Sequence, residues 1–448
     1  MQTNLTAAIP DDALTRLARL ACLAIVRLFY REIRVSGLEN LPTTGPVILL
    51  ANHPNGLLDP VILRIAADRP VGFLAKSTLF GNPFGRLGLA AFAGLPVFRP
   101  RDGADTSHNE RTFELARQRL ADHQWLALFP EGTSHSDPAM RPLKTGAARI
   151  ALSFCEQHPL ERLQLVPCGL LYEAKEVFRS RVAVYVGEAI DATQFARDHG
   201  SDFGAAQQLT VEINDTLADV VLQADNQTLL RGFVAVAAWT QQAAARDLAA
   251  QQALAQQLAQ AWRQLSADNP SEALVLQALA SEFAAELQAA GIDDPWQIDA
   301  PAPKPLKVLT ATLSLLALLP LAALGTLLTW PMYRAIAPLA IQIAGTETDL
   351  ISTVKLLLGW LGLPLWWTLQ ALTLAVVVHP QVGLAAAILG PLCGFIALRW
   401  SERWQRRRQV VRLAWLRGVR TEVALDLRRR RDQLCARVMQ ALGVVRSN

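Results

Sequence analysis

The sequence is short of charge and offers no paired cysteines. Only 18% of its 448 residues are Asp, Glu, Lys or Arg, against 51% hydrophobic. That balance is apolar for a water-soluble chain and points to membrane contact. The five cysteines (Cys22, Cys155, Cys168, Cys393 and Cys435) are scattered, with no C-x-x-C pair. This argues against a disulfide framework and a zinc site, and fits a reducing compartment. Neither G-x-G-x-x-G nor G-x-x-x-x-G-K-[ST] occurs, so no nucleotide fingerprint is present. A G-x-S-x-G nucleophile elbow is also missing. No N-terminal signal peptide is read, because the first apolar segment comes late and is interrupted by Arg. Net charge is only +4, so bulk charge selects no partner.

What is present divides the chain into segments. Residues 1–34 hold an amphipathic helix over 11–34, with Asp11 and Asp12 at its start. Leu17, Leu20, Leu23, Ile25, Leu28 and Phe29 interleave with Arg16, Arg19, Arg27 and Arg31, a pattern that can lie in a membrane interface or pack on a core. Residues 35–200 alternate strands with helices and predict an α/β domain, a mixed sheet flanked by helices. The expected strands are Val47–Leu50, Val71–Ala75, Leu95–Phe98, Trp125–Phe129, Leu163–Leu170 and Arg181–Val186. The expected helices are Pro60–Asp68, Phe84–Ala91, Asn109–Asp122 and Leu143–Gln157. Residues 205–292 are rich in Ala, Gln and Leu and read as a helical bundle without chemistry. Residues 293–307 form a Pro-rich linker.

Residues 308–400 read as a transmembrane region. Val308–Trp330 is uncharged and long enough to span a ~30 Å hydrocarbon core. Leu356–Leu398 holds no Asp, Glu, Lys or Arg and is divided by His379-Pro380. That makes three apolar stretches, yet the flanking charges disagree with three crossings. Lys304 and Lys307 precede the first, and Arg399, Arg403 and Arg406 to Arg408 follow the last. The positive-inside rule puts both clusters in the cytoplasm and needs an even count. Either one stretch is re-entrant or interfacial, or Ala335–Gly345 completes a fourth. Residues 401–448 form a basic helical tail suited to anionic lipid headgroups, with nucleic acid disfavoured by the apolar segments beside it.

Chemistry concentrates in a few loops. At Leu49 to Pro60 a β-type run stops at Asn52-His53-Pro54-Asn55-Gly56, and a helical pattern resumes at Leu57. Pro54 and Gly56 break the helix, so a tight turn can fold Asp59 back onto His53. A His oriented by a buried carboxylate can take a proton from an alcohol. The bland alternative is a loop His beside a helix-capping Asp. Gly94 to Asp102 delivers Arg99 and Arg101 to a loop, where the guanidinium fork suits phosphate. Phe129-Pro130-Glu131-Gly132-Thr133-Ser134-His135 ends a strand in a carboxylate, a glycine and hydroxyls that can bind a polyol. Val166-Pro167-Cys168-Gly169-Leu170 puts Pro and Gly inside a strand, where the backbone bends or something approaches closely.

Together, in this order and spacing, these stretches resemble the motif blocks of the glycerolipid acyltransferase family over about Phe29 to Ile190. The usual family spacing has four residues between His and Asp; here five separate His53 and Asp59. The Pro-Asn-Gly insert, Pro96 to Arg99, Phe129 to His135 and Phe178 to Arg181 look similar to the fungal-type glycerol-3-phosphate/dihydroxyacetone-phosphate acyltransferases. The resemblance implies His53 as general base and Asp59 as its orienting carboxylate. It implies Arg99 on the acceptor phosphate, Glu131, Gly132 and Thr133 on the glycerol, and Pro167 on the acyl-donor side. No metal or tightly bound cofactor is implied; acyl-CoA or acyl carrier protein would bring the acyl group. The expected function is acyl transfer to glycerol 3-phosphate or dihydroxyacetone phosphate at the cytoplasmic face of a membrane. Three alternatives stand beside it: a lysophosphatidate acyltransferase, a hydrolase and a non-catalytic lipid-binding scaffold.

Overall fold

A computed structural model describes residues 13–81, 83–98, 109–242, 247–300, 305–345 and 347–443. The chain divides into two compact units. The first comprises residues 1–231, 248–256 and 347–353, and the second comprises the rest.

The first unit is built on one eight-stranded sheet. Its strands are β1 (Glu32–Ser36), β2 (Val47–Ala51), β3 (Val71–Lys76), β4 (Gly94–Val97), β5 (Trp125–Leu128), β6 (Gln164–Tyr172), β7 (Arg181–Val186) and β8 (Ile190–Asp191). The order is β1-β7-β6-β2-β5-β3-β4, with β8 beside β6. Only β6–β7 and β6–β8 are antiparallel. The fully buried run of β2 is what a central parallel strand requires, since helices cover both faces. Those helices are α1 (Ala13–Phe29), α2 (Leu58–Ala67), α3 (Pro83–Ala91), α4 (Asn109–Ala121), α5 (Gly146–Gln157), α6 (Ala192–His199) and α7 (Phe203–Val220).

Two boundaries differ from the sequence reading. Residues 32–34 are not the end of the N-terminal helix. They open β1, whose register against β7 runs Glu32 to Arg181 through Ser36 to Tyr185, a parallel pairing that local periodicity does not reveal. α1 buries Val26 and Phe29 while leaving Leu14, Leu17, Leu20 and Leu28 exposed, so it packs and presents an apolar stripe at once. α7 lies in the core of this unit through Ala205, Leu209, Ile213 and Leu217, which extends the domain past residue 200.

The close approach expected around Gly169 is made by the carbonyl of Val220, at the end of α7. A Cβ on residue 169 would fall inside the van der Waals shell of that oxygen. Both groups are backbone, so neither can rotate away. Gly169→Ala should therefore cost at least the ~1–3 kcal/mol typical of overpacking. The thermal midpoint of the solubilised protein should drop by several degrees; an unchanged midpoint would mean that α7 yields freely.

The second unit is helical: most of α8 (Gln227–Thr240), the later part of α9 (Leu248–Asp268), α10 (Pro270–Ala290), α11 (Pro305–Ala344), most of α12 (Ile351–Val377), α13 (Pro380–Val419) and α14 (Thr421–Leu442). Part of the stretch read as a linker is packed. Pro295–Ile298 is a 3-10 turn, and the Trp296 indole donates to the Ala238 carbonyl at 3.0 Å. The basic tail is partly neutralised within the protein. Arg431 is buried over Trp296 and paired with Asp299 at 2.6 Å, while Arg428, Arg430 and Arg437 pair with Asp299, Glu286 and Glu272. Among the described residues three helices are long and apolar enough to cross a membrane: Val308–Ala344, Ile351–Val377 and Pro380–Val419. Ala335 to Ala344 continues α11 and forms no fourth.

Candidate functional site

Sheet register brings the site together. Parallel β2 and β5 are paired with Leu50 opposite Leu128, so residues three beyond each, His53 and Glu131, emerge side by side at the carboxyl edge. That edge is where open α/β sheets place their ligands. Asn52 keeps the loop in line with β6: its side-chain amide donates to the Leu170 carbonyl at 3.1 Å and accepts from the Leu170 N–H at 2.8 Å. His53 can then leave the sheet while its neighbour continues the ladder.

The turn between His53 and Asp59 closes as the spacing allowed. Asn55 O accepts from the backbone N–H groups of Leu58 and Asp59, both at 3.1 Å. This folds the first turn of α2 back, and His53 Nδ1 lies 2.8 Å from Asp59 Oδ2. The same oxygen accepts the Asn55 backbone N–H at 2.7 Å, and Tyr172 donates its hydroxyl to Oδ1. Asp59 is fully buried. Burial pushes its carboxyl above the usual carboxylate range, opposed by the hydrogen bonds from His53, Tyr172 and Asn55. The imidazole also stacks on Phe129, with ring centroids 4.0 Å apart and planes within 14°. With Nδ1 engaged, Nε2 is the ring nitrogen left to exchange a proton, and the His53 side chain keeps 15% exposure.

A second layer holds the dyad. Asn55 donates to the Tyr30 hydroxyl at 3.0 Å, and Tyr30 donates to the Lys175 carbonyl at 3.0 Å. The Lys175 ammonium donates to Pro54 O at 2.8 Å and Ser136 Oγ at 2.6 Å, clamping the loops after β2 and β5 to each other. Burial lowers the pKa of this lysine. Asn52 and Asn55 stand in the quoted turn without an assigned role, whereas Tyr30, Tyr172 and Lys175 were missed by motif reasoning. They sit up to 121 residues from the loop they hold, and only strand pairing brings them there.

Glu131 is buried, and both its oxygens accept from protein groups. Oε1 takes the His53 backbone N–H at 3.1 Å; Oε2 takes the Arg141 N–H at 2.7 Å and His135 Nε2. Gly132 follows at φ +71°, a left-handed conformation, and a Cβ there would press on the Lys144 side chain at 2.8 Å. Thr133 and Ser134 are half-buried, and Ser134 Oγ donates to Asp349, a residue the sequence reading did not single out. Pro167 is buried in β6 opposite Leu50, its carbonyl accepting from Gly187 N at 2.9 Å. Arg99 lies outside the described residues; next to it, Phe98 is fixed by Asn109, which pairs with both its N–H (2.9 Å) and its carbonyl (2.8 Å). Burial raises the Cys168 thiol to about 12, which leaves it protonated at neutral pH and unsuited to nucleophilic attack. No cluster of three or more His, Cys, Asp or Glu side chains that could hold a metal occurs among the described residues.

Comparison with known proteins bears on the same segment. The family model "Acyltransferase" matches residues 32–170, which run from β1 into β6 and include the dyad. Residues 32–170 form an acyltransferase domain. An uncharacterized acyltransferase of Schizosaccharomyces pombe is 26% identical over 295 residues, covering 46% of this chain and 44% of its own. Glycerol-3-phosphate O-acyltransferase 1 of Saccharomyces cerevisiae is 27% identical over 297 residues, covering 46% and 39%. Mouse 1-acyl-sn-glycerol-3-phosphate acyltransferase alpha is 26% identical over 137 residues, covering 31% and 47%. The chain spans less than half the length of these relatives.

Removing the Tyr172 hydroxyl tests the layer behind the dyad. Tyr172→Phe leaves Asp59 Oδ1 without that donor, which costs ~1–3 kcal/mol for a buried acceptor. The lost hydrogen bond was lowering the Asp59 pKa, so the pKa rises further. The acid limb of the pH–rate profile should move to higher pH, with roughly tenfold lower turnover near neutrality, about 1.4 kcal/mol. A profile superimposable on wild type would remove Tyr172 from the site.

Proposed function

We propose that this protein is a membrane-bound O-acyltransferase that moves a fatty acyl group from a thioester to the sn-1 hydroxyl of glycerol 3-phosphate or dihydroxyacetone phosphate. The observation that carries the reading is the 2.8 Å His53–Asp59 pair at the carboxyl edge of an acyltransferase domain. The yeast glycerol-3-phosphate O-acyltransferase, similar over 46% of the chain, supports this acceptor. His53 Nε2 takes the proton from the acceptor hydroxyl as its oxygen attacks the thioester carbonyl. The tetrahedral intermediate collapses, the C–S bond breaks, and the imidazolium returns the proton to the leaving thiolate. Asp59 fixes the tautomer and stabilises the imidazolium, as a triad carboxylate does. Arg99 binds the acceptor phosphate, Gly132 and Thr133 position its glycerol part with Glu131 behind them, and Pro167 shapes the donor side. The donor is acyl-CoA or acyl-acyl carrier protein, and the domain works at the cytoplasmic face of the membrane.

A second reading, acylation of lysophosphatidate, is favoured by the similarity to the mouse enzyme. Initial rates with glycerol 3-phosphate, dihydroxyacetone phosphate and lysophosphatidate, each with one long-chain acyl-CoA, separate the two. The proposal expects the highest kcat/KM with one of the two water-soluble acceptors. Activity confined to lysophosphatidate would replace it with the second reading. If acyl-CoA supports no product, acyl-acyl carrier protein replaces it as donor; failure with both would favour the scaffold.

A further inference from the structure

The segment between the first two apolar helices, Glu347 to Thr353, belongs to the acyltransferase unit. Asp349 accepts from Ser134, in the loop that follows Glu131. Ser352 is buried and donates to the Lys175 carbonyl at 2.9 Å, the oxygen that also accepts from Tyr30. Leu350 packs on Gly56 so closely that a Cβ there would lie 2.7 Å from its Cδ2. Gly56 belongs to the Pro-Asn-Gly insert that lengthens the His53–Asp59 spacing. The insert and this segment therefore fit each other, and α11 ends three residues before the segment, so chain connectivity keeps that end on the acyltransferase side of the membrane.

The other end of α11 is tied to the same side by chain connectivity. Between the sheet and Pro305, no described helix is long and apolar enough to cross a membrane. Lys304 and Lys307 agree with that side. Both ends of a 40-residue apolar helix thus belong on one side.

Packing inside the second unit shows how that is possible. Near its start, α11 lies against the charged part of α13: Arg407 donates to the Val308 carbonyl and, at 3.0 Å, to Thr312. Further along, Trp400 donates to Leu315 O at 2.9 Å, and Gly325 abuts the Cys393 backbone. At Leu328, where Thr329 still lies against Gly394 of α13, α12 joins as a second neighbour: Trp366 and Gln370 both donate to the Leu328 carbonyl, at 2.8 and 3.0 Å. From there the order reverses, with Met332 against Gly362 and Ile336 against Gly359. Partner positions run from the Arg-rich end of α13 to the middle of α12 and back toward its start. Beyond residue 370, α12 has α13 beside it, with Ala371 and Ala375 against Gly383. Pro320 and Pro331 flank the turning point, where prolines bend helices. Arg334, past that point, is exposed, as suits a segment climbing back to the interface it left.

We propose that α11 is a re-entrant helix, entering and leaving the lipid on the acyltransferase side and reaching mid-depth near Leu328, so that α12 and α13 alone cross the membrane. Two crossings put Lys304, Lys307, Lys355 and the cluster Arg399 to Arg408 on one face, with the His379-Pro380 turn on the other. The near leaflet then holds both limbs of α11 together with α12 and α13, and the far leaflet α12 and α13 alone. The proposal rests on reading the chain as a membrane protein, and its test does not depend on acyl transfer.

Four reporters, Glu188→Cys, Gln342→Cys, Glu347→Cys and Gln381→Cys, occupy exposed positions. Each is placed singly in the full chain and treated with a membrane-impermeant maleimide in sealed vesicles of known orientation, with wild type as background. Gln342→Cys and Glu347→Cys should react from the same face as Glu188→Cys on the sheet domain, and Gln381→Cys from the opposite face. Reaction of residues 342 and 347 from the face of residue 381 would overturn the proposal. So would protection from both faces that detergent relieves, because that buries the segment in lipid.

Discussion

His53→Ala lowers kcat for acyl transfer by about 100- to 10,000-fold, the range supplied by a positioned general base. The acceptor and donor KM values should stay near wild type, because in the proposed mechanism the imidazole acts on the proton in flight and not on ground-state binding. Asp59→Asn falls in the upper part of that range, since the amide presents the wrong group to Nδ1 and selects the wrong tautomer. The double variant should be no slower than His53→Ala alone, because the two side chains act as one unit. Burial raises the Asp59 carboxyl, so the acid limb of the wild-type profile begins at a higher pH than an ordinary carboxylate would give. Those pKa values belong to the pair and not to either residue. Wild-type rates in His53→Ala, with Tm unchanged, would remove the residue from the chemistry.

Glu131→Gln lowers kcat by about tenfold to a hundredfold and leaves the acceptor KM nearly unchanged. The reason lies in what the carboxylate holds: the His53 backbone N–H, the Arg141 N–H and His135 Nε2. A carboxylate can accept from all of them, whereas a glutamine turns an NH₂ group toward another donor. A buried donor or acceptor left unpaired costs ~1–3 kcal/mol. The loop carrying His53 then shifts, and a displacement of about 1 Å can cost a hundredfold in rate. A large rise in acceptor KM at constant kcat would instead put Glu131 in contact with the substrate. Steady-state kinetics in both substrates, with Tm as a folding control, separate the outcomes.

Strand positions were legible because each parallel strand is an apolar run bounded by turn residues; β2, β3 and β5 begin where the pattern placed them. The His53–Asp59 turn was legible as a possibility, since Pro54 and Gly56 forbid a straight helix between them. What holds that turn was not. Tyr30, Tyr172 and Lys175 reach it only through the pairing of β6 with β2 and the end of α1, contacts that local periodicity does not encode. β1 was hidden for the same reason, its partner β7 lying about 150 residues downstream. Asp349 did leave a signal: Glu347 and Asp349 are an acidic pair between two apolar helices, in a stretch otherwise nearly free of carboxylates. Such a pair needs a reason to be there, and the Ser134 hydroxyl supplies one.

The most direct test of the central claim is the stoichiometry of products from the purified, lipid-reconstituted full chain given glycerol 3-phosphate and a long-chain acyl-CoA. One acylated glycerol phosphate should form for each coenzyme A released, with both products lost together in His53→Ala. Coenzyme A released with free fatty acid and no acylated glycerol phosphate would contradict it, because His53 would then be activating water and the chain would be a hydrolase.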